Sequence, residues 1–356
     1  APNNPATTKH PPQPQAPSTL TLMPFWTKLL EHLRTGQPAY VALVADNTAH
    51  SPGTRGAKMF VRPDGSTEGT IGGGIMEADI IEEGLEALEA GGAGPTFQRL
   101  YHRDKGSGEK SGLICAGHQT NVYCLFDPQR DVALLEEVVA RREADQPGLL
   151  QLGPDGFTVA DEEEIGPERP PIRLVEDDET WRYEEQLLNW KRAAIIGGGH
   201  CGFALSRTLD HLGYAVTLFE TRADVDTFAD NPHARHTIQV DDFAEAGAQI
   251  EHKRITHVIV MTMGQPGDVR ALLGTIEDPY PYIGVMGSEA KLAKIREDLE
   301  AEGVDPADFD RVRAPIGLEM TSNTPAEIAV SIAGELLRER EELFPHSKPA
   351  APAPPS

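Results

Sequence analysis

The run AAIIGGGHCGFALSRTLDHLG, residues 193–213, constrains this chain more than any other stretch. An apolar strand leads into three glycines, a helix-forming segment follows, and Gly213 closes it. AVTLFE, ITHVIVMTM and YPYIGVMG are further uninterrupted apolar runs, each leading towards a helix. Strands that read as continuous apolar runs are covered on both faces. Their alternation with helices predicts a parallel, doubly wound sheet. Within that frame Gly197, Gly199 and Gly202 meet the G-x-G-x-x-G spacing between a strand and a helix. Gly197 permits the tight turn, Gly199 lets backbone approach a phosphate, and Gly202 allows close helix–strand packing. A phosphate there would face the positive end of the helix. Glu220 ends the next strand about twenty residues on, where an acidic residue accepts a ribose hydroxyl. Arg222 beside it suits a phosphate instead, and the two readings stand open.

The first half follows another grammar. LTLMPFWTKLLEHLRTG is an amphipathic helix ending at Gly36, YVALVAD a strand, and KMFV-RPDG-STEGTIGGG a hairpin. Pro63 presets φ for that turn, and Asp64-Gly65 tolerates it. A helix (ADIIEEGLEALEAG), a strand (TNVYCLF), a second helix (VALLEEVVARREA) and a second hairpin (LLQLGPDGFTVA) complete an α+β half. The charged, proline-bearing stretch from Pro167 to about Asp178 reads as the boundary between the halves. Expected domains are an amino-terminal α+β domain over 20–188, linker included, and a Rossmann-like domain over 189–343. TIGGGIMEAD, residues 70–79, repeats the triple glycine but lacks the third spaced glycine, and a hairpin precedes it. It reads either as a substrate-facing loop or as a glycine-permitted bend, with Glu77 in the first helical turn complementing the dipole.

Charge excludes some function classes. The 32 Lys+Arg against 56 Asp+Glu give a formal net charge of −24, which repels phosphate backbones and anionic membranes. No nucleic-acid or membrane partner is expected. Three cysteines without CxxC spacing suggest neither a disulfide framework nor a structural zinc site, so a reducing, cytoplasmic setting is expected. The proline-rich segments 1–19 and 344–356 bury too little apolar surface to order themselves and are expected to be disordered.

Several motifs together resemble the XdhC/CoxI family. SPGTRGAKMFVRPDGSTEGTIGGGIMEADI is similar to its glycine-rich amino-terminal signature, and LICAGHQTNVYCLF occupies the place of its Cys-Gly-Gly segment. IIGGGHCG resembles its Gly-x-Gly-His turn. GVMGSEAKLAKIREDL resembles its Gly-Ser-x-x-Lys helix entry, and PIGLEMTSNTPAEIAVSIAGELL its carboxy-terminal ending. The resemblance runs from about Leu20 to Arg340 with the motifs in family order. It implies an accessory chaperone that binds molybdenum cofactor (molybdopterin), supports its sulfuration and passes it to a xanthine dehydrogenase-type molybdenum hydroxylase apoenzyme. A sulfur donor such as a cysteine desulfurase and a homodimeric state are implied with it.

On that basis the candidate cofactor residues fall in four places. Arg55 and Lys58, with Gly72, Gly73, Gly74 and Glu77, form the first loop, where a cationic, amide-rich surface suits a phosphate or an oxo-molybdenum group. Cys115 and Gly117 form the second, with Cys115 as the candidate soft metal ligand. Gly197, Gly199, His200, Gly202 and Glu220 form the third, where His200 stands at the helix start, able to hydrogen-bond a ligand or accept a metal. Gly287, Ser288 and Lys291 form the fourth, a second anion-friendly helix start with Ser288 as N-cap. Cys124 and Cys201 read as packing residues. The sequence departs from the family pattern at Ala116, at Thr321-Ser322-Asn323, and at Gln265 before Asp268, where the family frequently has a histidine followed by Asp. The competing readings are an NAD(P)-dependent oxidoreductase, with His200 or Asp268 moving a proton, and an NAD(H)-sensing regulator.

Overall fold

A computed structural model describes residues 25–48, 51–92, 94–101, 109–110, 118–162, 169–177 and 180–343. The described residues divide into two compact units, one of 25–190 together with 337–343 and one of Lys191–Leu336.

The first unit opens with α1 (Phe25–Arg34), β1 (Ala39–Asn47), the hairpin β2 (Lys58–Val61) and β3 (Thr67–Thr70), and α2 (Ile75–Ala90). It continues through β4 (Thr96–Tyr101), β5 (Glu109–Lys110), β6 (His118–Phe126) and α3 (Pro128–Glu143). Two further hairpins follow, β7 (Leu149–Gly153) with β8 (Gly156–Ala160), and β9 (Ile172–Glu176) with β10 (Trp181–Gln186). The described strands form two sheets, β3-β2-β1-β6-β4-β5 and β8-β7-β10-β9, antiparallel except for the β4–β5 pair. β1 explains why the first sheet is covered on both faces. Its side chains alternate, and Val41, Leu43 and Ala45 pack with Trp26, Leu29 and Leu135 of α1 and α3. Tyr40, Ala42 and Val44 pack with Met76 and Ile80 of α2. The hairpin turn forms as its residues dictate, with Asp64 accepting from the Ser66 amide at 2.9 Å and Gly65 at φ +79°.

The charged stretch near residue 170 differs from its expected role as a boundary, because it contains β9. Arginines on and beside that strand (Arg169 and Arg173) converge with Arg182 on Glu184, whose carboxylate is 2% exposed. Burial alone would raise the Glu184 pKa, but the three guanidinium groups hold it at about 2. A segment that reads as a boundary is instead an ordered strand of the second sheet, with Ile172 and Leu174 packed on the core.

The second unit is a doubly wound sheet. Its strands are β11 (Arg192–Ile196), β12 (Ala215–Glu220), β13 (His236–Gln239), β14 (Thr256–Val260), β15 (Tyr282–Val285) and β16 (Val312–Arg313). Their order is β13-β12-β11-β14-β15-β16, with every pair parallel. The connections hold α4 (His200–His211), α5 (Asp226–Ala229), α6 (Ala246–Gln249), α7 (Gln265–Leu273), α8 (Glu289–Ala301) and α9 (Pro306–Asp310), and α10 (Pro325–Leu343) follows. Every residue of β11 is buried, as a central strand covered on both faces requires. Strand order reverses between β11 and β14, so the turns after these two strands border the crevice where such sheets bind ligands.

Candidate functional site

The Gly197–Gly199 turn stands at this reversal point. Gly197 has φ +124°, and a Cβ there would lie 2.4 Å from the Met261 carbonyl oxygen, so only glycine fits. A Cβ on Gly202 would lie 2.2 Å from the Gly197 carbonyl oxygen, which lets α4 press against its own turn. Gly199 is different. It is the N-cap of α4 with no side-chain cap, and a Cβ on it would meet nothing within 4 Å. The turn is therefore packed at Gly197 and Gly202 and open at Gly199, where the helix presents its positive end.

Glu220 closes the side of this turn. Its carboxylate is 1% exposed and accepts from the Gly198 amide at 2.9 Å. It also accepts from the Thr221 amide at 2.9 Å, and from Arg222 through Nε at 3.1 Å and Nη2 at 2.9 Å. Burial disfavours the charged form, yet Arg222 and the backbone amides more than offset it and lower the Glu220 pKa. Arg222 keeps an outward edge, with Nη1 3.5 Å from the Sδ of Met263, a side chain 80% exposed after β14.

The other expected residues of this unit fall as follows. His200 is exposed at the first position of α4. Cys201 is partly buried, and that burial raises its pKa, favouring the thiol. Ser288 caps α8, accepting from the Lys291 amide at 3.4 Å. Gly287 precedes it, packed against the Lys291 stem. Lys291 reaches back to ion-pair with Asp268 and donates to the Met286 carbonyl at 3.1 Å. Asp268 is fully buried and accepts from the Thr262 amide at 3.0 Å and hydroxyl at 2.7 Å. This pair ties α7 to α8 beneath the turn after β14.

The first loop lies in the other unit and is closed on itself. Gly72, Gly73 and Gly74 all have positive φ, at +129°, +76° and +75°. Oε1 of Glu77 accepts from the Ile71 amide at 2.9 Å, the Gly73 amide at 2.8 Å and the Thr70 hydroxyl at 2.6 Å. Burial opposes its ionisation, but these donors prevail and lower its pKa. Arg55 ion-pairs with Asp46. Lys58 is 12% exposed, 3.2 Å from Glu185, and donates to the Gly56 carbonyl at 2.9 Å. Burial lowers its pKa against the pull of Glu185. With Phe25, Lys28, Gly56, Glu68 and Gly69 it lines a cavity of about 250 Å³. Cys115 and Gly117 lie outside the described residues. Cys124 is a core residue of β6 whose thiol burial pushes up to about 12. Among the described residues no group of three His, Cys, Asp or Glu side chains is placed to hold a metal.

Sequence reasoning missed two features. The first is Glu185, which collects Trp26, Tyr183, Lys58 and Arg142 from four elements and has no local signal. The second is the closure of the first loop by Glu77. Its spacing from Gly74 matches that of a capping box, so this one was available to read.

The geometry defines a class, proteins with a Rossmann domain whose glycine turn opens at the switch point of the sheet. The profile of the XdhC Rossmann domain matches residues 194–336, and that of the XdhC and CoxI family matches residues 32–100. Together they span more than half of the chain, which belongs to the XdhC/CoxI family. Among curated proteins the chain is 25% identical over 307 residues to the uncharacterized protein YqeB of Escherichia coli (strain K12). The alignment takes in 85% of this chain and 43% of YqeB, so the chain spans less than half of that relative. Among solved structures, a xanthine dehydrogenase from Bacillus halodurans matches with TM-score 0.64 and 21% identity, over 91% of this chain and 98% of that one. That likeness shows the shared fold. An imine reductase from Streptomyces aurantiacus overlaps 41% of this chain and 60% of its own at 16% identity and TM-score 0.23, too little to carry an argument. No described helix is long and apolar enough to cross a membrane.

Proposed function

We propose that the chain is a maturation factor that binds molybdenum cofactor through its Rossmann turn. The observation that carries this reading is the open backbone at Gly199, at the start of a 12-residue helix in a chain of this family. A phosphate-bearing group fits there, because the glycine leaves room for oxygen atoms and the helix end stabilises negative charge. Gly199 and the first turn of α4 would hold the phosphate, with His200 exposed beside it as a hydrogen-bonding group. Bound there, the cofactor would supply the molybdenum that is sulfurated, and Cys115 is the candidate soft ligand. Handover to a molybdenum hydroxylase apoenzyme, a sulfur donor such as a cysteine desulfurase, a homodimer and a cytoplasmic setting belong to the same proposal.

An oxidoreductase reading has less support. Asp268, one of its two proton-transfer candidates, is fully buried and ion-paired to Lys291. The test is anaerobic titration of the full chain with molybdenum cofactor. Saturable binding is expected, weakened about tenfold or more in Gly199→Val, where a branched side chain fills the open backbone. Cys115→Ala tests the thiol separately. Absence of saturable binding by the wild type would end the proposal.

A further inference from the structure

We infer that Arg222 makes the Rossmann turn select ligands carrying a phosphomonoester over ligands offering a free ribose diol. This rests on reading the Gly197–Gly202 turn as a ligand loop, but not on which ligand it serves.

In sites that recognise a ribose diol, the carboxylate at the end of the second strand must have a free acceptor. Glu220 occupies that position and has none to spare. Oε1 accepts from the Thr221 amide at 2.9 Å and hydroxyl at 3.3 Å, and from the Arg222 amide at 3.3 Å and Nε at 3.1 Å. Oε2 accepts from the Gly198 amide and Arg222 Nη2, both at 2.9 Å. Six donors exceed the roughly four lone-pair sites of a carboxylate. A diol arriving there could only displace a charge-assisted bond.

The guanidinium makes the opposite offer. Glu220 holds its Nε and Nη2, which fixes the plane of the fork and joins it to the Gly198 amide through one carboxylate oxygen. The side chain is 39% exposed, and the partner recorded for Nη1 is the thioether of Met263 at 3.5 Å. Sulfur is a weak acceptor, and a phosphate oxygen would replace it with a much stronger, charge-assisted bond. Arg222 is thus oriented in advance by a buried carboxylate whose acceptors are already taken. A phosphomonoester could come from a dinucleotide's 2′-phosphate or from the terminal phosphate of a pterin cofactor.

The experiment titrates the full chain with NADP⁺, NAD⁺ and, anaerobically, molybdenum cofactor, using wild type, Arg222→Ala and Arg222→Lys. If a dinucleotide is the source, NADP⁺ binds about tenfold or more tighter than NAD⁺. Arg222→Ala then loses that preference and gains NAD⁺ affinity, because Glu220 recovers free acceptors. Arg222→Lys, which keeps the charge beside Glu220 but loses the fork, shows an intermediate preference and guards against misfolding of the alanine variant. If the pterin cofactor is the source, its binding weakens about tenfold in Arg222→Ala. The inference is overturned if NAD⁺ binds as tightly as NADP⁺, if cofactor binds with no dependence on Arg222, or if no probe binds. Arg222-dependent NADP⁺ binding without cofactor binding would retain the inference and remove the proposed function. Cofactor binding indifferent to Arg222 would do the reverse.

Discussion

The two triple-glycine turns have nearly the same sequence, TIGGG and IIGGG, and opposite physical states. In the first, three successive glycines take positive φ, and the carboxylate of Glu77, one turn into the following helix, accepts two amides of the turn, those of Ile71 and Gly73. In the second, only Gly197 takes positive φ, the carboxylate comes from a neighbouring strand and takes one amide of the turn, that of Gly198, and Gly199 faces open space. A glycine run is therefore not in itself an anion site. Its availability depends on which of its amides the chain's own carboxylates occupy and which they leave open.

The largest effect that would test this contrast is in Gly197→Ala. A Cβ against the Met261 carbonyl at φ +124° should cost about 3 kcal/mol or more, read from the urea midpoint of unfolding. A change below about 1 kcal/mol would mean the second turn is not held by close packing.

Glu77→Gln should cost about 1 kcal/mol, as expected for losing a charged cap on backbone amides. Its pH dependence has a definite sign. The folded pKa lies below the ordinary value of 4.5, so the stabilisation is complete above that value and fades as pH falls through the depressed one. Acid titration of stability should thus be shallower in Glu77→Gln than in wild type, and parallel curves would count against the self-capped first loop.

Gly73→Ala should cost about 1 kcal/mol from backbone strain alone, since φ is +76° and a Cβ meets nothing within 4 Å. Gly199→Ala should change stability least, within about 0.5 kcal/mol, because its φ is −71° and its Cβ direction is open. Thermal unfolding of the two variants side by side would check the pair. A larger loss in Gly199→Ala would show that the second turn is not open.

Most of the fold was legible because its signals are local. The continuous apolar runs, the Pro63-Asp64-Gly65 turn and the glycine spacing each fix backbone within a few residues, and the structure follows them. The β9–β10 hairpin was not legible. Its charges and prolines read as a boundary, whereas Arg169, Arg173 and Arg182 converge on Glu184 on one face while Ile172, Leu174, Trp181 and Tyr183 pack on the core. The site divides in the same way. The G-x-G-x-x-G turn could be placed from spacing, and Glu220 from its distance along the chain. That Lys58 is committed to Glu185, and Lys291 to Asp268, could not be read, since each partner is remote in sequence or reached only by packing.

By itself the sequence determined the two folding grammars, the family to which the chain belongs, and the positions where only glycine is tolerated, because backbone sterics and hydrophobic period act over a few residues. The tertiary structure decided which cations and amides are already paired. Glu77 reaches its amides across a turn, Glu220 reaches Gly198 from an adjacent strand, and Asp268 meets Lys291 between two helices. Hydrogen bonds form over about 3 Å of space irrespective of separation along the chain, so a residue's type shows what it can bind, and only the fold shows what it has bound.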